Sequence, residues 1–252
     1  MGVLLKIEGL TKIFLEEDKT EHMAVDHVSF HVDDGETVGL VGESGCGKST
    51  LAKLITRLIE PTAGTIHLNG KEITKSRGKE LREAYQQVQM VFQSPAGSFD
   101  PRKTIGHGIS ESMRNNGTPK AERMRRTEEL LGQCGLSPEY ARRYPYEISG
   151  GQCQRAALAR ALAIRPKLLI CDEATSALDV TIQQQIMELL KSLKQEKQLS
   201  FLFICHNLAL VQSFCDRVLV MYEGKIVEEG TPEQIIQSPQ SEYTKHLVDA
   251  AF

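Results

Sequence analysis

The chain has 252 residues, of which 40% are hydrophobic and 25% are charged, a composition typical of water-soluble globular proteins. Its formal net charge of -3 gives no electrostatic case for nucleic acid as the main partner. No window approaches the roughly 18 consecutive apolar residues of a membrane-spanning helix, and the N-terminus lacks the apolar core and cleavage site of a signal peptide. We therefore expect a protein that works in the cytosol.

The first predicted elements are two strands, at 3–9 and 25–32, whose residues alternate between apolar and polar. The charged segment 15–21 between them is predicted to be a loop. Phe14 lies just before this loop, and two interpretations of it stay open. It is either a core residue at a strand end or an aromatic platform on which a purine ring stacks.

A phosphate-binding loop follows the next strand. Residues 37–41 form a short apolar run, and residues 51–58 predict a helix. Between them stands the spacing G-x-x-x-x-G-K-[ST], in which backbone N–H groups surround phosphates, a lysine reaches the β- and γ-phosphates and a hydroxyl coordinates Mg²⁺. The order of strand, loop and helix is the context that this motif requires, so we predict nucleoside triphosphate binding. The residues of the predicted site are Gly42, Glu43, Ser44, Gly45, Cys46, Gly47, Lys48, Ser49 and Thr50.

The next segments predict further β-structure. Residues 65–73 read as a hairpin with Asn69-Gly70 at its turn. The charged segment 75–83 is placed on the surface. An apolar strand at 89–93 ends in Gln93.

From about residue 95 to residue 160 the hydrophobic pattern becomes helical, which predicts a helical insert in an otherwise α/β chain. Its last helix is predicted over 152–164, directly after the Ser-Gly-Gly of residues 149–151. Arg155 and Arg160 in this helix are assigned to a solvated face.

The last third of the chain contains two apolar strands that end in polar side chains. Residues 167–172 end in Asp172, which Glu173 follows, and residues 201–206 end in His206. Ligands of open parallel sheets bind at the carboxyl ends of the strands. We therefore expect these side chains to lie beside the phosphate loop.

The requirements of phosphoryl transfer suggest a role for each of these groups. Asp172 would hold Mg²⁺ together with Ser49, and Glu173 would polarise the water that attacks the γ-phosphate. Gln93 would orient that water or contact the metal. His206 would hydrogen-bond the γ-phosphate and hold Glu173 in place.

The remaining segments predict α/β structure and a helical end. They are a helix at 176–195, a helix at 208–214, a strand pair at 217–222 and 225–229, and a helical tail at 232–252.

With these motifs identified, the chain resembles the nucleotide-binding subunits of ABC transporters. Residues 148–152, Ile-Ser-Gly-Gly-Gln, resemble the signature sequence of the family, with Ile148 where Leu is commonest. Residues 176–179, Ser-Ala-Leu-Asp, resemble the segment that contacts the partner subunit, which makes Asp179 a dimer contact. Three further positions match the glutamine loop, the switch histidine and the adenine-stacking aromatic of the family: Gln93, His206 and Phe14.

The resemblance implies an α/β fold with a P-loop NTPase (RecA-like) core, an N-terminal antiparallel β subdomain and an inserted α-helical subdomain. A single ABC-type nucleotide-binding domain would then span 1–252. Its core would cover about 1–94 and 161–231, its helical subdomain about 95–160 and its C-terminal helical tail about 232–252.

The resemblance also implies a mechanism. Two subunits would meet head to tail, so that each ATP lies between the phosphate loop of one and the signature of the other, formed by Ser149, Gly150, Gly151 and Gln152. The implied partners are a second, identical or related ATPase subunit, two membrane-spanning permease subunits and, indirectly, an extracellular solute-binding protein. The chain would lie peripherally on the cytoplasmic face of the membrane.

Residues 92–102 resemble the peptide/nickel importer branch, in which F-Q-x-P-x-x-S-[LF]-[ND]-P-R is characteristic, and residues 242–247 resemble it as well. Peptides and nickel both stay open as the cargo. The end of the sequence at Phe252, without a longer cysteine-containing extension, leans toward the nickel members. Asn207 stands where Asp is usual and Cys153 where a basic residue is common, but neither change removes a catalytic group.

Two other classes compete with the transporter interpretation. A non-transport ABC-type ATPase acting on nucleic acid or the ribosome is disfavoured by the single nucleotide-binding unit, the absence of long coiled-coil segments and the acidic net charge. A P-loop kinase is disfavoured by the signature sequence and by Glu173, because hydrolysis needs a positioned water rather than a substrate hydroxyl.

Overall fold

Two β-sheets organise the chain in a computed structural model that describes residues 2–15, 20–92, 96–173 and 180–250. The strands found in these residues are β1 (Val3–Leu15), β2 (Glu21–Asp33), β3 (Thr37–Val41), β4 (Ala63–Leu68), β5 (Lys71–Glu72), β6 (Val88–Val91), β7 (Leu168–Asp172), β8 (Ser200–Ile204), β9 (Arg217–Tyr222) and β10 (Lys225–Gly230). The α-helices are α1 (Lys48–Ile55), α2 (Gly78–Gln87), α3 (Ile105–Asn115), α4 (Lys120–Gln133), α5 (Gly150–Leu162), α6 (Val180–Lys197), α7 (Leu208–Phe214), α8 (Pro232–Gln237) and α9 (Glu242–Asp249).

The first sheet is antiparallel, with the strand order β2-β1-β4-β5. Strands β1 and β2 are both longer than the predicted strands at 3–9 and 25–32, because their pairing continues as far as Leu15 and Glu21. The predicted hairpin is confirmed: Asn69 and Gly70 join β4 to β5 with φ angles of 51° and 77°. Positive φ at both central residues is what a two-residue turn of the type I′ class requires.

The second sheet has the order β10-β9-β3-β8-β7-β6. Its strands from β9 to β6 run parallel, and β10 is antiparallel to β9. Strands β3, β7 and β8 are buried along their whole length, as their continuous apolar runs predict. Ile204 is in register with both Leu40 and Asp172, so β3, β8 and β7 end at the same edge of the sheet.

The helices α3, α4 and α5 pack against one another through buried apolar residues, among them Ile109, Leu130 and Leu158. Helix α5 begins at Gly150, two residues earlier than predicted, because the Ser149 side chain caps it. Helix α2 was not predicted. Its apolar residues Leu81, Ala84 and Tyr85 have helical spacing, but they form a stripe only one turn long among charged residues, and only Ala84 of the ten residues is buried.

The assignment of Arg160 to a solvated face is wrong. Its guanidinium lies 4.5 Å from the centre of the Phe99 ring and donates hydrogen bonds to the carbonyl oxygen and the hydroxyl of Ser98. Burial lowers the pKa of this guanidinium. Arg160 therefore ties the signature helix to the segment that follows Gln93 in the sequence.

Within the described ranges, no helix combines the length and the apolar character needed to cross a bilayer. The predicted helical tail consists of two short helices, α8 and α9, and Ile235 of α8 is buried in the core.

Candidate active site

The phosphate loop connects β3 to α1, and its glycines are required by the surrounding backbone. Gly42 and Gly47 have φ angles of 151° and 109°. A Cβ atom at Gly42 would lie 2.1 Å from the carbonyl oxygen of Met221, and one at Gly47 would lie 2.2 Å from that of Ala24. Because the opposing atoms are backbone, they cannot move aside as a side chain would, so both positions need glycine.

Lys48 occupies the inside of this loop. Its ammonium donates hydrogen bonds to the carbonyl oxygens of Gly42, at 2.8 Å, and Glu43, at 2.6 Å. Only 5% of the Lys48 residue is exposed. Helix α1 begins at Lys48. The free N–H groups of its first turn, at the positive end of the helix dipole, therefore lie next to the loop. The loop thus joins a buried cation to a helix N-terminus, which is an anion-binding arrangement.

Two contacts from the C-terminal part of the chain hold the loop from outside. The amide of Gly224, in the β9–β10 turn, donates to the carbonyl oxygen of Cys46 at 3.0 Å. The amide of Glu43 donates to the Tyr243 hydroxyl at 2.8 Å. Sequence reasoning assigned neither Gly224 nor Tyr243 to the site, although it identified the turn and the tail that carry them.

Ser49 and Asp172 join the loop to the end of β7. The Ser49 hydroxyl donates to a carboxylate oxygen of Asp172 at 3.0 Å. Burial raises the pKa of Asp172, and the hydrogen bond from Ser49 partly offsets this effect. Because the Ser49 proton is used toward Asp172, its oxygen lone pairs remain available to a cation. Two neighbouring oxygen ligands suit Mg²⁺, which prefers oxygen and takes one or two protein ligands besides phosphate.

Glu173 and His206 lie at adjacent strand ends. Glu173 has a φ of 47°, a left-handed conformation that is uncommon for a residue other than glycine and costs about 1–3 kcal/mol. Its amide donates to the carbonyl oxygen of Ile204 at 3.0 Å, which fixes the chain direction after β7 on the end of β8. His206 follows β8 by two residues and is exposed. Asn207 caps α7 by accepting from the amides of Ala209 and Leu210, a role in which its amide oxygen replaces a carboxylate.

The signature residues form the N-terminus of α5. The Ser149 hydroxyl accepts from the Gln152 amide at 3.3 Å, while the Gln152 side chain accepts from the Ser149 amide at 2.9 Å, a capping box. The Gln152 side-chain amide also donates to the Tyr140 hydroxyl. Ser149 and Gly150 are exposed. Cys153, one of the departures from the family pattern, is buried behind them.

Three further predicted site residues are Phe14, Gln93 and Asp179, of which the structure describes Phe14. Phe14 is 38% exposed on β1, and the Lys12 ammonium lies 5.0 Å from its ring centre, so Phe14 is not a core residue. Gln93 and Asp179 lie outside the described residues.

The fold, with a glycine-rich loop between a buried parallel strand and a helix, is that of a P-loop NTPase. The ABC transporter family matches residues 25–176. A probable peptide ABC transporter ATP-binding protein of Sinorhizobium fredii is 48% identical over 98% of this chain and 72% of its own length. The oligopeptide transport ATP-binding protein OppF of Bacillus subtilis is 47% identical over 98% of this chain and 82% of its own length.

Solved structures of ATP-binding cassettes superpose on this chain. The dimeric, ADP- and phosphate-bound ATP-binding cassette MJ0796 superposes with a TM-score of 0.82 and 28% identity, covering 91% of this chain and 99% of that one. The CbiO1 protein of Clostridium perfringens, part of an ABC transporter complex, gives a TM-score of 0.82 and 28% identity over 94% and 92%. The chain therefore belongs to the ABC transporter family and is an ATP-hydrolysing subunit of such a transporter.

Proposed function

We propose that the chain energises an oligopeptide importer by binding and hydrolysing MgATP at the edge of the parallel sheet. The observation that most strongly supports this site is the 3.0 Å hydrogen bond from Ser49 to Asp172, because it joins the phosphate loop to a buried carboxylate. Lys48 and the loop amides would bind the phosphates. Ser49 and Asp172, together with Gln93, would hold Mg²⁺, which neutralises charge on the β- and γ-phosphates.

Hydrolysis would depend on Glu173 and His206. The hydrogen bond from Glu173 to Ile204 and the position of His206 after the same strand support a role for both at one reacting phosphate. Glu173 would accept a proton from the attacking water as general base. His206 would donate a hydrogen bond to the γ-phosphate, and Gln93 would help to orient the water.

The site would be completed by a second subunit that binds head to tail. Ser149 and Gly150 support this, since both are exposed at the N-terminus of a thirteen-residue helix. As an acceptor toward Gln152, the Ser149 hydroxyl keeps its own proton to donate to a γ-phosphate across the interface. Phe14 is exposed as an adenine platform requires, and Asp179 would contact the partner. The division into core, helical subdomain and tail at about 95, 160 and 232 is part of the same proposal.

We further propose that the assembly contains two permease subunits, receives its cargo from an extracellular binding protein and holds this chain on the cytoplasmic face of the membrane. Oligopeptides are the cargo that we place first. The relatives described above, at 47–48% identity over nearly the whole chain, carry peptide or oligopeptide names.

The test uses a strain in which the gene is deleted and replaced by wild type, Glu173→Gln or the control Glu72→Gln, whose carboxylate is exposed on β5. Uptake of a labelled tripeptide and of nickel is measured in each strain. We expect tripeptide uptake to be lost with Glu173→Gln only, and nickel uptake to be equal in all three. Loss of nickel uptake with normal tripeptide uptake would contradict the proposed cargo.

A further inference from the structure

Helix α9, the last helix of the described residues, touches the phosphate loop, although Glu43 and Tyr243 are 200 residues apart in sequence. The Tyr243 hydroxyl on α9 accepts a hydrogen bond from the Glu43 amide at 2.8 Å. On the other side of the same residue, the Glu43 carbonyl accepts from Lys48 at 2.6 Å. Glu43, at the start of the loop, is therefore held at both of its backbone polar groups: Lys48 donates to its carbonyl oxygen, and its amide donates to Tyr243.

Helix α9 is itself well anchored to the sheet. The carboxylate of Glu228, on β10, accepts from the amides of Gln240 and Ser241 at 2.8 and 2.9 Å, at the entry to the helix. The Tyr243 ring packs against the Tyr222 ring, with 4.2 Å between their centres. Because both the helix entry and the ring are fixed, the Tyr243 hydroxyl is presented to the loop in one place.

Binding of phosphate should affect the two hydrogen bonds of Glu43, to Lys48 and to Tyr243, differently. Lys48 is the loop's buried ammonium, so phosphate oxygens compete with the Glu43 carbonyl for its protons. Tyr243 accepts from the Glu43 amide and not from Lys48, so binding of phosphate by the Lys48 ammonium takes no proton away from the Tyr243 hydroxyl. Its hydrogen bond therefore continues to orient the Glu43 peptide when Lys48 turns to the phosphates.

We propose that Tyr243 is a positioning residue for nucleotide binding, and that α9 holds the phosphate loop in its phosphate-accepting form through the Glu43 amide. The inference rests on the proposed function, since it requires the Gly42–Thr50 loop to bind ATP. Glu43 is exposed, so loss of the hydroxyl leaves its amide to water rather than buried and unpaired. The cost falls on loop order and ATP affinity, and not on global stability.

The experiment compares the purified full-length chain with three variants: Tyr243→Phe, the matched control Tyr222→Phe and Lys48→Ala. Tyr243→Phe keeps the ring contact and removes only the hydroxyl. Tyr222→Phe makes the same change on the other ring of the pair. For each protein we would measure the Kd for MgATP by equilibrium dialysis, the kcat and KM of hydrolysis, the melting temperature and the hydrogen exchange of the Glu43 amide.

We expect Tyr243→Phe to raise the Kd and KM for MgATP about threefold to tenfold, as the loss of one hydrogen bond predicts. Its kcat should stay within about twofold of wild type, since the groups assigned to hydrolysis are untouched. The Glu43 amide should exchange faster than in wild type and in Tyr222→Phe. The melting temperatures should agree.

The results that would contradict the role of Tyr243 can be told apart from those that would contradict the ATP site itself. A Kd in Tyr243→Phe within twofold of wild type, or an equal rise in Tyr222→Phe, would overturn the role of Tyr243. If Lys48→Ala also bound MgATP with wild-type affinity, the assignment of the loop as the ATP site would fail with it. Loss of affinity in Lys48→Ala alone would leave that site intact and reject only the inference about α9.

Discussion

The phosphate loop and the signature are both glycine-rich segments at the start of a helix, yet they are supported in opposite ways. The loop meets groups that are distant in sequence: the carbonyl oxygens of Ala24 and Met221 and the hydroxyl of Tyr243. The signature is held by its neighbours, since Ser149 pairs with Gln152 and Gln152 with Tyr140.

This difference teaches where each segment is sensitive to mutation. The loop has its form imposed by the tertiary structure, so changes in strands and helices far away in sequence should alter nucleotide binding. The signature is closed mainly by hydrogen bonds between nearby residues, although Gly151 also packs against Ile182 of α6, and the exposed Ser149 and Gly150 remain open to a partner. The predictions below separate these two kinds of support, from the largest expected effect to the smallest.

The largest loss of ATP turnover is expected from a change at Glu173, directly after the end of β7. Replacing Glu173 by Gln removes the proposed general base and should lower ATP turnover by about 10²- to 10⁴-fold while MgATP affinity is kept. The measurement is steady-state phosphate release together with equilibrium nucleotide binding, with Glu72→Gln as control. Turnover near the wild-type rate would remove Glu173 from the mechanism.

Adding one methyl group to a glycine of each segment, by substitution with alanine, distinguishes the phosphate loop from the signature. Gly42→Ala should weaken MgATP binding roughly 30-fold, because about 2 kcal/mol of strain follows from a Cβ atom pressed against the Met221 carbonyl. Gly150→Ala meets nothing within 4 Å, and the isolated chain should bind MgATP as wild type does. Equal affinities for the two variants, measured by equilibrium dialysis, would contradict the distinction between an imposed loop and an open signature.

Ser149→Ala tests the two roles that we give to the signature hydroxyl. Loss of the helix cap should cost about 1 kcal/mol, or about 2–4 °C in Tm. Turnover of the assembled transporter should fall about tenfold, since a donor to the γ-phosphate is lost. Thr231→Ala removes the equivalent cap of α8 and serves as control. It should lower Tm similarly and leave turnover unchanged, and a matching fall in its turnover would reduce Ser149 to a structural role.

The smallest effect is expected at the opposite end of β3 from the loop. Arg217 donates to both carboxylate oxygens of Glu36, at 2.8 and 3.0 Å. Burial raises the pKa of Glu36, but the hydrogen bonds from Arg217 and the Asp33 amide more than offset this, so the pKa lies below its usual value. This interaction therefore stabilises the fold above the unfolded-state pKa of Glu and is lost as the pH falls through the lower, folded-state pKa.

Glu36→Gln should accordingly reduce the free energy of unfolding by about 1 kcal/mol at pH 7 and by less at pH 3. MgATP affinity should not change. Urea unfolding at the two pH values provides the measurement. An equal loss of stability at both would show that the charge of Glu36 does not contribute.

Much of this architecture was readable before the structure was known. The G-x-x-x-x-G-K-[ST] spacing located the loop, because the physical demands on a phosphate-binding backbone are local. The apolar runs that end in Asp172 and His206 predicted buried strands, and the register of β7 and β8 brings their ends to one edge. Family membership favours the transporter interpretation over the kinase and the non-transport ATPase.

Other features could not be obtained from local patterns. Helix α2 has a charged sequence whose apolar stripe is only one turn long, and the pairing of β1 and β2 carries both strands past their alternating segments. Arg160 has the appearance of a surface residue because a charge in a helix gives no indication of a distant acceptor. Its contacts with Ser98 and Phe99 lie about 60 residues away in the chain.

The sequence by itself determined the class of this protein and predicted the chemical groups of its candidate site, since spacing within a loop and the end of an apolar strand are properties of a few consecutive residues. Only the tertiary structure decided what holds those groups. Met221, Gly224 and Tyr243 reach the loop from strand β9, the β9–β10 turn and helix α9. Contacts over such separations depend on how whole elements pack, and no periodicity in one segment encodes them.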